Sequence, residues 1–265
     1  MSLKEKYGSQ ALVCGASEGL GEAYAEYLAA SGIDVILVAR RKEPLELLAG
    51  NLIQQYNIKA EIICCDLART DASEFLQQAI KDRDINILVY NAAIPYIGRF
   101  EENDPENHRQ MAQANMVTPM SLAHSFGSTM LRKGKGAIIF MASLAGFQGS
   151  GFLTVYAATK AFDRVLAESL WYEWKERGVD VIACCAGATA TPNYINTNPE
   201  KTSFFAPRVQ QPAEVVKECF EKLGKEASFI SGTGNKIASF IMQRLMPRKM
   251  AIKIMGETTR KMYRL

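Results

Sequence analysis

No apolar run in these 265 residues approaches the ~20 that a bilayer crossing needs. The opening MSLKEKYGSQ lacks the apolar centre of a signal peptide, so the chain is expected to stay in the cytoplasm. Excess charge of one sign is small: the net value is +3, too little to argue for nucleic acid. The six cysteines, Cys14, Cys64, Cys65, Cys184, Cys185 and Cys219, include no CxxC pair. Neighbouring cysteines on a strand point to opposite faces, so reduced, buried thiols are expected, without disulfides or a metal site. The two histidines, His108 and His124, have no carboxylate or thiol partners at metal-ligand spacing. No low-complexity segment, linker or internal repeat interrupts the chain.

What is present is an ordinary globular composition, 48% apolar and 22% charged, with strands and helices in alternation. Apolar strands are read at Gln10–Cys14, Ile33–Ala39, Ala60–Cys65, Ile85–Tyr90, Gly136–Ala142, Val179–Ala186 and Ser228–Gly232. Between them lie helical patterns ending near Leu28, then at Leu45–Tyr56, Ala72–Lys81, Pro105–Leu131, Thr154–Arg177 and Pro212–Leu223. Pro119 predicts a kink or break near Thr118. The Phe162, Leu166, Leu170, Trp174 stripe reads as core or subunit contact. Strand-helix alternation at this spacing predicts an α/β fold, a doubly wound and mostly parallel sheet of about seven strands with helices on both faces. Residues 1–235 form one Rossmann-type domain in this reading, and 236–265 a helical extension of it.

Chemistry concentrates at the strand ends. Gln10–Cys14 runs into Gly15, Ala16, Ser17, Glu18, Gly19, Leu20 and Gly21, and then a helix. Glycines let the backbone approach a pyrophosphate, and the helix start offers free N–H groups. Ile33–Ala39 ends in Arg40 and Arg41. At that position an acid would bond a ribose 2′-hydroxyl, whereas arginine accommodates a 2′-phosphate, so NADP(H) is the expected cofactor. Tyr156 and Lys160 stand four apart on one helix face. A free phenol titrates near ~10, and an ammonium beside it favours the phenolate. Ser143, thirteen positions upstream at a strand end, can hydrogen-bond the carbonyl oxygen that Tyr156 would protonate. Asn115 lies mid-helix, where an amide is mildly unfavourable. The irregular stretch from Gly187 to about Gln211 is long enough to serve as a lid.

Together these residues resemble the short-chain dehydrogenase/reductase family, over about residues 8–235, and loosely its 3-ketoacyl and 17β-hydroxysteroid branch. The resemblance carries Asn115, Ser143, Tyr156 and Lys160 onto the family's four catalytic positions. It sets Asp66, with Leu67 beside it, near the adenine ring, and Asn91, Ala92 and Ala93 at the turn supporting the central sheet. Gly187, Thr189 and Thr191 would hold the carboxamide and diphosphate. The implied mechanism is hydride transfer to a carbonyl carbon while Tyr156 protonates its oxygen and Ser143 holds it. Lys160 lowers the Tyr156 pKa and binds the nicotinamide ribose, and Asn115 places a water in the relay. Cys14, Ala93 and Ala186 depart from the family's usual Thr, Gly and Pro, and all three are small.

The expected activity is ketone–alcohol interconversion with a bulky or long-chain apolar substrate. Its pocket would be rimmed by Ile94, Tyr96, Leu144, Phe147, Phe152, Leu153, Tyr194 and a Phe204-Phe205 lid. Two alternatives remain beside it. One is a non-catalytic NADP-binding regulatory protein. The other is an epimerase or dehydratase, which would need a larger C-terminal domain. Relatives commonly pair through the helices around Asn115 and Tyr156, so a homodimer or homotetramer is expected. From Lys236 onward the chain has eight Lys and Arg against one acid, Glu257. Beyond Pro247, Lys249, Lys253, Arg260 and Arg264 share one helical stripe, with Ala251, Ile254, Met255 and Met262 opposite. That helix either lies on an anionic membrane surface or packs its apolar side on the protein.

Overall fold

The computed structural model describes residues 1–81, 83–200 and 208–265. A short helix α1 (Leu3–Tyr7) leads into β1 (Gln10–Cys14), α2 (Gly19–Ala30), β2 (Asp34–Ala39), α3 (Lys42–Tyr56) and β3 (Ala60–Cys64). The second half of the sheet is built from α4 (Ala72–Ala79), β4 (Ile87–Tyr90), α5 (Pro105–Ala112), α6 (Thr118–Lys133), β5 (Gly136–Ser143), α7 (Thr154–Trp174) and β6 (Val179–Ala186). After α8 (Pro192–Asn196) come α9 (Pro212–Lys222), β7 (Ser228–Ile230), α10 (Thr233–Phe240) and α11 (Arg248–Tyr263).

The seven strands run in the order β3-β2-β1-β4-β5-β6-β7, and every pair is parallel. Side chains alternate across the sheet, so β1 sends Ala11 and Val13 to one core and Leu12 and Cys14 to the other. The first core is closed by α2, α3 and α9 through Leu28, Leu45 and Phe220. The second is closed by α4, α6 and α7 through Leu76, Leu122 and Trp174. Burial on both faces explains why the central strands read as continuous apolar runs.

The break expected near Thr118 is a π-helical turn, Gln113–Val117, between α5 and α6, with Pro119 in the first turn of α6. The helix runs on through this turn, with the Thr118 N–H bonded to the Gln113 carbonyl, so Pro119 leaves a carbonyl of the preceding turn without a donor; the Ala114 carbonyl accepts from the Tyr90 hydroxyl instead. Asn115 lies inside this turn.

Strand order reverses between β1 and β4, and the loops beyond their C-terminal ends open a crevice at that point. Five free cysteines are buried and Cys64 is exposed. Among the described residues there is no cluster of metal-ligating side chains, and no helix is long and apolar enough to cross a membrane.

Candidate active site

The C-terminal ends of β1 to β6 converge on one cavity of about 680 Å³. Gly15, Ser17, Glu18, Leu20, Arg40, Arg41, Asp66, Leu67, Asn91 and Ala92 line its first half. Ser143, Tyr156, Lys160, Gly187, Thr189 and Thr191 line the second.

Local geometry suits the first half to a diphosphate. α2 begins at Gly19 without a side-chain cap, so its first N–H groups are left for a ligand. Gly19 has φ +63°, and a Cβ there would come within 2.8 Å of the Thr191 methyl. Any larger residue would therefore close the loop against the β6 side. The Asn91 amide donates to the Gly15 carbonyl at 2.9 Å, tying the β4 turn to the glycine loop. Arg41 turns back to Glu18, Nη2 to Oε2 at 2.6 Å, so its guanidinium is already paired at the cavity mouth. Asp66 accepts from the Ala68 N–H at 3.0 Å.

In the second half, Ser143 ends β5 and its hydroxyl oxygen accepts from the Ala145 N–H at 3.2 Å. Lys160 is 2% exposed, and its Nζ donates to the Met141 carbonyl at 2.6 Å and to Asp163 Oδ2 at 2.9 Å. The ammonium lies 6.0 Å from the centre of the Tyr156 ring. Burial alone would drive the Lys160 pKa down, but Asp163 and Tyr156 more than offset it, and it stands above the ordinary lysine value.

Asn115 does not reach the cavity wall. It is buried one layer behind, where its amide grips the main chain of Ile94 and also donates to Thr159 Oγ1 at 3.2 Å. Ile94, Leu144, Leu153 and Tyr194 do line the cavity.

Three expected rim residues are not among the residues that line it. Tyr96 turns its hydroxyl to the Arg99 carbonyl and sets its ring edge-on to His108. Phe147 packs against the second core beneath the Arg164 guanidinium, 4.8 Å from its ring centre. Phe152 takes a positive φ of 65° and gives its carbonyl to the Gly98 N–H. The Tyr96 and Phe147 rings have packing partners outside the cavity, which apolarity in the sequence could not reveal. Phe204 and Phe205 lie outside the described residues.

Other residues take those places. Pro95, Ile97 and Met141 join the wall, and α11 adds Met255, Thr258, Thr259, Met262 and Tyr263. Ala251, Thr258, Thr259 and Met262 are buried, so the apolar side of α11 packs on the body. Burial raises the Tyr263 hydroxyl above its ordinary pKa, a Thr197 hydrogen bond opposes this, and Tyr156 adds to the rise. Asp163 was also missed, although an acid three residues after Lys160 on a helix is within reach of it.

A parallel sheet with an uncapped helix and a glycine loop at its switch point is the arrangement of dinucleotide-binding α/β proteins. The model of the short chain dehydrogenase family matches residues 9–202, and the chain belongs to that family as one of its oxidoreductases. It is 36% identical over 236 residues to a 7beta-hydroxysteroid dehydrogenase of Clostridium sardiniense, covering 89% of this chain and 90% of that one. A solved structure concerned with 7beta-hydroxysteroid dehydrogenase stereoselectivity superposes with a TM-score of 0.90 at 31% identity, covering 96% of this chain and 99% of that one. A short-chain dehydrogenase from Sphingobium yanoikuyae in complex with NADPH superposes at 0.75 with 28% identity, covering 84% and 87%.

Proposed function

We propose that the protein interconverts a ketone and a secondary alcohol with NADP(H), on a bulky apolar substrate of the hydroxysteroid type. One observation carries the reading: Ser143, Tyr156 and Lys160 share a cavity wall, with Leu144, Leu153, Met255 and Met262 in the same enclosure. When bound, the dinucleotide supplies or accepts the hydride. The protein's part is to handle the proton and hold the oxygen. Tyr156 gives its phenolic proton to the carbonyl oxygen, while the Ser143 hydroxyl donates to the same atom. The Lys160 ammonium favours the phenolate left behind and reaches for the ribose hydroxyls. Asn115, buried behind Ile94, supports the relay through the backbone it holds.

The relatives named 7beta-hydroxysteroid dehydrogenase support the substrate class, and the Sphingobium neighbour in complex with NADPH supports the cofactor. Arg40 and Arg41 at the mouth supply the preference for a 2′-phosphate. Residues 236–265 belong to the same domain in this reading, because α11 completes the pocket.

The test is oxidation of a panel of hydroxysteroids, and reduction of the matching ketones, with NADP(H) and NAD(H), followed by nucleotide absorbance. Turnover of a bulky hydroxysteroid with NADP⁺ supports the reading. Nucleotide binding without turnover of any member would favour the regulatory alternative.

Pairing of subunits is proposed through α6 and α7 with the π turn between α5 and α6, where Val117, Met120, Val165 and Tyr172 are exposed. The proposed membrane contact is the segment 236–245, α10 and the turn after it, rather than α11. Ile237, Phe240 and Leu245 are 58%, 59% and 67% exposed, beside Lys236 and Arg244. Apolar side chains flanked by cations suit an anionic interface.

A further inference from the structure

Asp163 is 2% exposed and lies one helical turn beyond Lys160 on α7. Its Oδ2 accepts from Lys160 Nζ, while Oδ1, equally shut off from solvent, has no hydrogen-bond partner among the described residues. Burial lifts the Asp163 carboxyl above its ordinary value even with the Lys160 ammonium and its hydrogen bond opposing the rise, so an ionised carboxylate here is held by that counter-ion alone.

The same pair constrains the lysine. An ammonium has three N–H donors. One goes to the Met141 carbonyl and one to Asp163, which leaves a single donor for the cavity side. Rotation about the last side-chain bond would break one of those two bonds, so the direction of the third is set.

The charge balance around the pair is equally narrow. Tyr90 of β4 and Cys185 of β6 are near enough to interact with it, but burial raises both, Cys185 to about 12, and both are neutral at physiological pH. Arg164 and Glu168, one and two turns along α7, are paired with each other at 3.0 Å. Tyr156 stands on the cavity side. Among the described residues Asp163 is thus the carboxylate that faces the Lys160 charge directly.

We propose that Asp163 is a positioning residue for the reaction: it fixes the Lys160 ammonium with one donor toward the cavity and sets the net charge felt by Tyr156. This rests on Tyr156 and Lys160 forming the proton-transfer pair. A purely structural ion pair would stabilise the fold and leave the titration of Tyr156 and the nucleotide affinity as they are.

The experiment compares the unmodified protein with Asp163→Asn, which keeps shape and acceptor but removes the charge. Three quantities are read: the pH profile of kcat/KM for alcohol oxidation, the dissociation constant for NADPH by fluorescence quenching, and Tm. The expected result is a displacement of the apparent pKa by at least about half a unit, together with a change of roughly threefold or more in NADPH affinity. The displacement is downward where the ammonium keeps its proton and upward where it loses it, and either direction supports the proposal. Superposable profiles and equal affinities, with only Tm lowered, overturn it.

If Asp163→Asn does not fold, Asp163→Leu removes the charge and the unpartnered Oδ1 together, at the cost of leaving one Lys160 N–H without its acceptor, and the same readings apply. Should the unmodified protein turn over no alcohol, the proposed activity fails separately. The affinity reading then decides the case of Asp163 alone.

Discussion

Asn115 spends both ends of its amide on one residue, Ile94. Oδ1 accepts from the Ile94 N–H at 2.8 Å, and Nδ2 donates to the Ile94 carbonyl at 3.0 Å. An amide mimics a strand edge in this way, and it replaces a pairing partner that the loop after β4 does not have. Ile94 lines the cavity and Asn115 does not, so the amide shapes the wall from behind. Asn115→Ala leaves two main-chain groups of Ile94 unpaired, each at a cost of about 1–3 kcal/mol if it stays shut off from water. Chemical denaturation should show that loss, and kcat should fall more than KM rises. A variant with full stability and wild-type kcat would contradict the role given to the clamp.

Tyr156→Phe keeps the ring and removes the acidic hydroxyl. NADPH affinity should stay within about twofold, while turnover drops by roughly 10²-fold or more. Near wild-type reduction of a good ketone by the Phe variant would mean that another group donates the proton.

The Arg41–Glu18 pair bears on cofactor choice. A 2′-phosphate arriving at the mouth competes with the Glu18 carboxylate for the Arg41 guanidinium. Replacing Arg40 and Arg41 together by Ala should weaken NADPH by roughly ten- to a hundredfold, with little effect on NADH. Glu18→Gln should tighten NADPH. Titration calorimetry on the three proteins checks both, and equal NADPH and NADH affinity in the unmodified chain would refute the preference.

Removal of the residues after Pro247 strips Met255, Met262 and Tyr263 from the cavity. KM for a bulky apolar ketone should rise by at least roughly tenfold, because one wall of apolar contact is lost. KM for a small ketone should move far less. Vesicle sedimentation of the full chain and of Phe240→Glu tests the neighbouring surface. Salt-sensitive pelleting with anionic vesicles, lost in the variant, is the outcome expected for an interfacial contact.

Glu218 of α9 accepts from the Gly232 N–H, the Ser231 hydroxyl and Lys236, holding the turn before α10. Burial pushes its carboxyl up, yet Lys236 and the other donors bring it below its ordinary value of 4.5. A depressed carboxyl stabilises the fold above its unfolded pKa, and that stability is lost as pH falls through the folded value. Glu218→Gln should therefore lower Tm at pH 7, with the difference closing below about pH 4. A pH-independent difference would assign the effect to packing alone.

The chain order of strands and helices was readable because a parallel sheet buried on both faces leaves apolar runs bounded by helical patterns. The glycine loop, Arg40 and Arg41, Ser143, and the Tyr156–Lys160 pair were readable for a related reason. Each sits at a strand end or on one helix face, where sequence spacing fixes direction. Residues that meet through the fold were not so placed. Whether Phe147 faces the cavity depends on where Arg164 stands, and apolarity is the same on either side. From spacing alone Asn115 is a mildly unfavourable mid-helix amide and only the family resemblance gives it a role; its hold on Ile94 is not legible, since the π turn and the loop carrying Ile94 come together only in space. The tail showed an amphipathic stripe but not its partner. Burial of Ala251, Thr258 and Met262 assigns that face to the body of the protein, and it leaves Ile237, Phe240 and Leu245 of the preceding segment outward. Asp163 belongs to both accounts. Its spacing from Lys160 is written in the sequence, but its carboxylate binds the ammonium tightly only because the sheet and α7 exclude water from both.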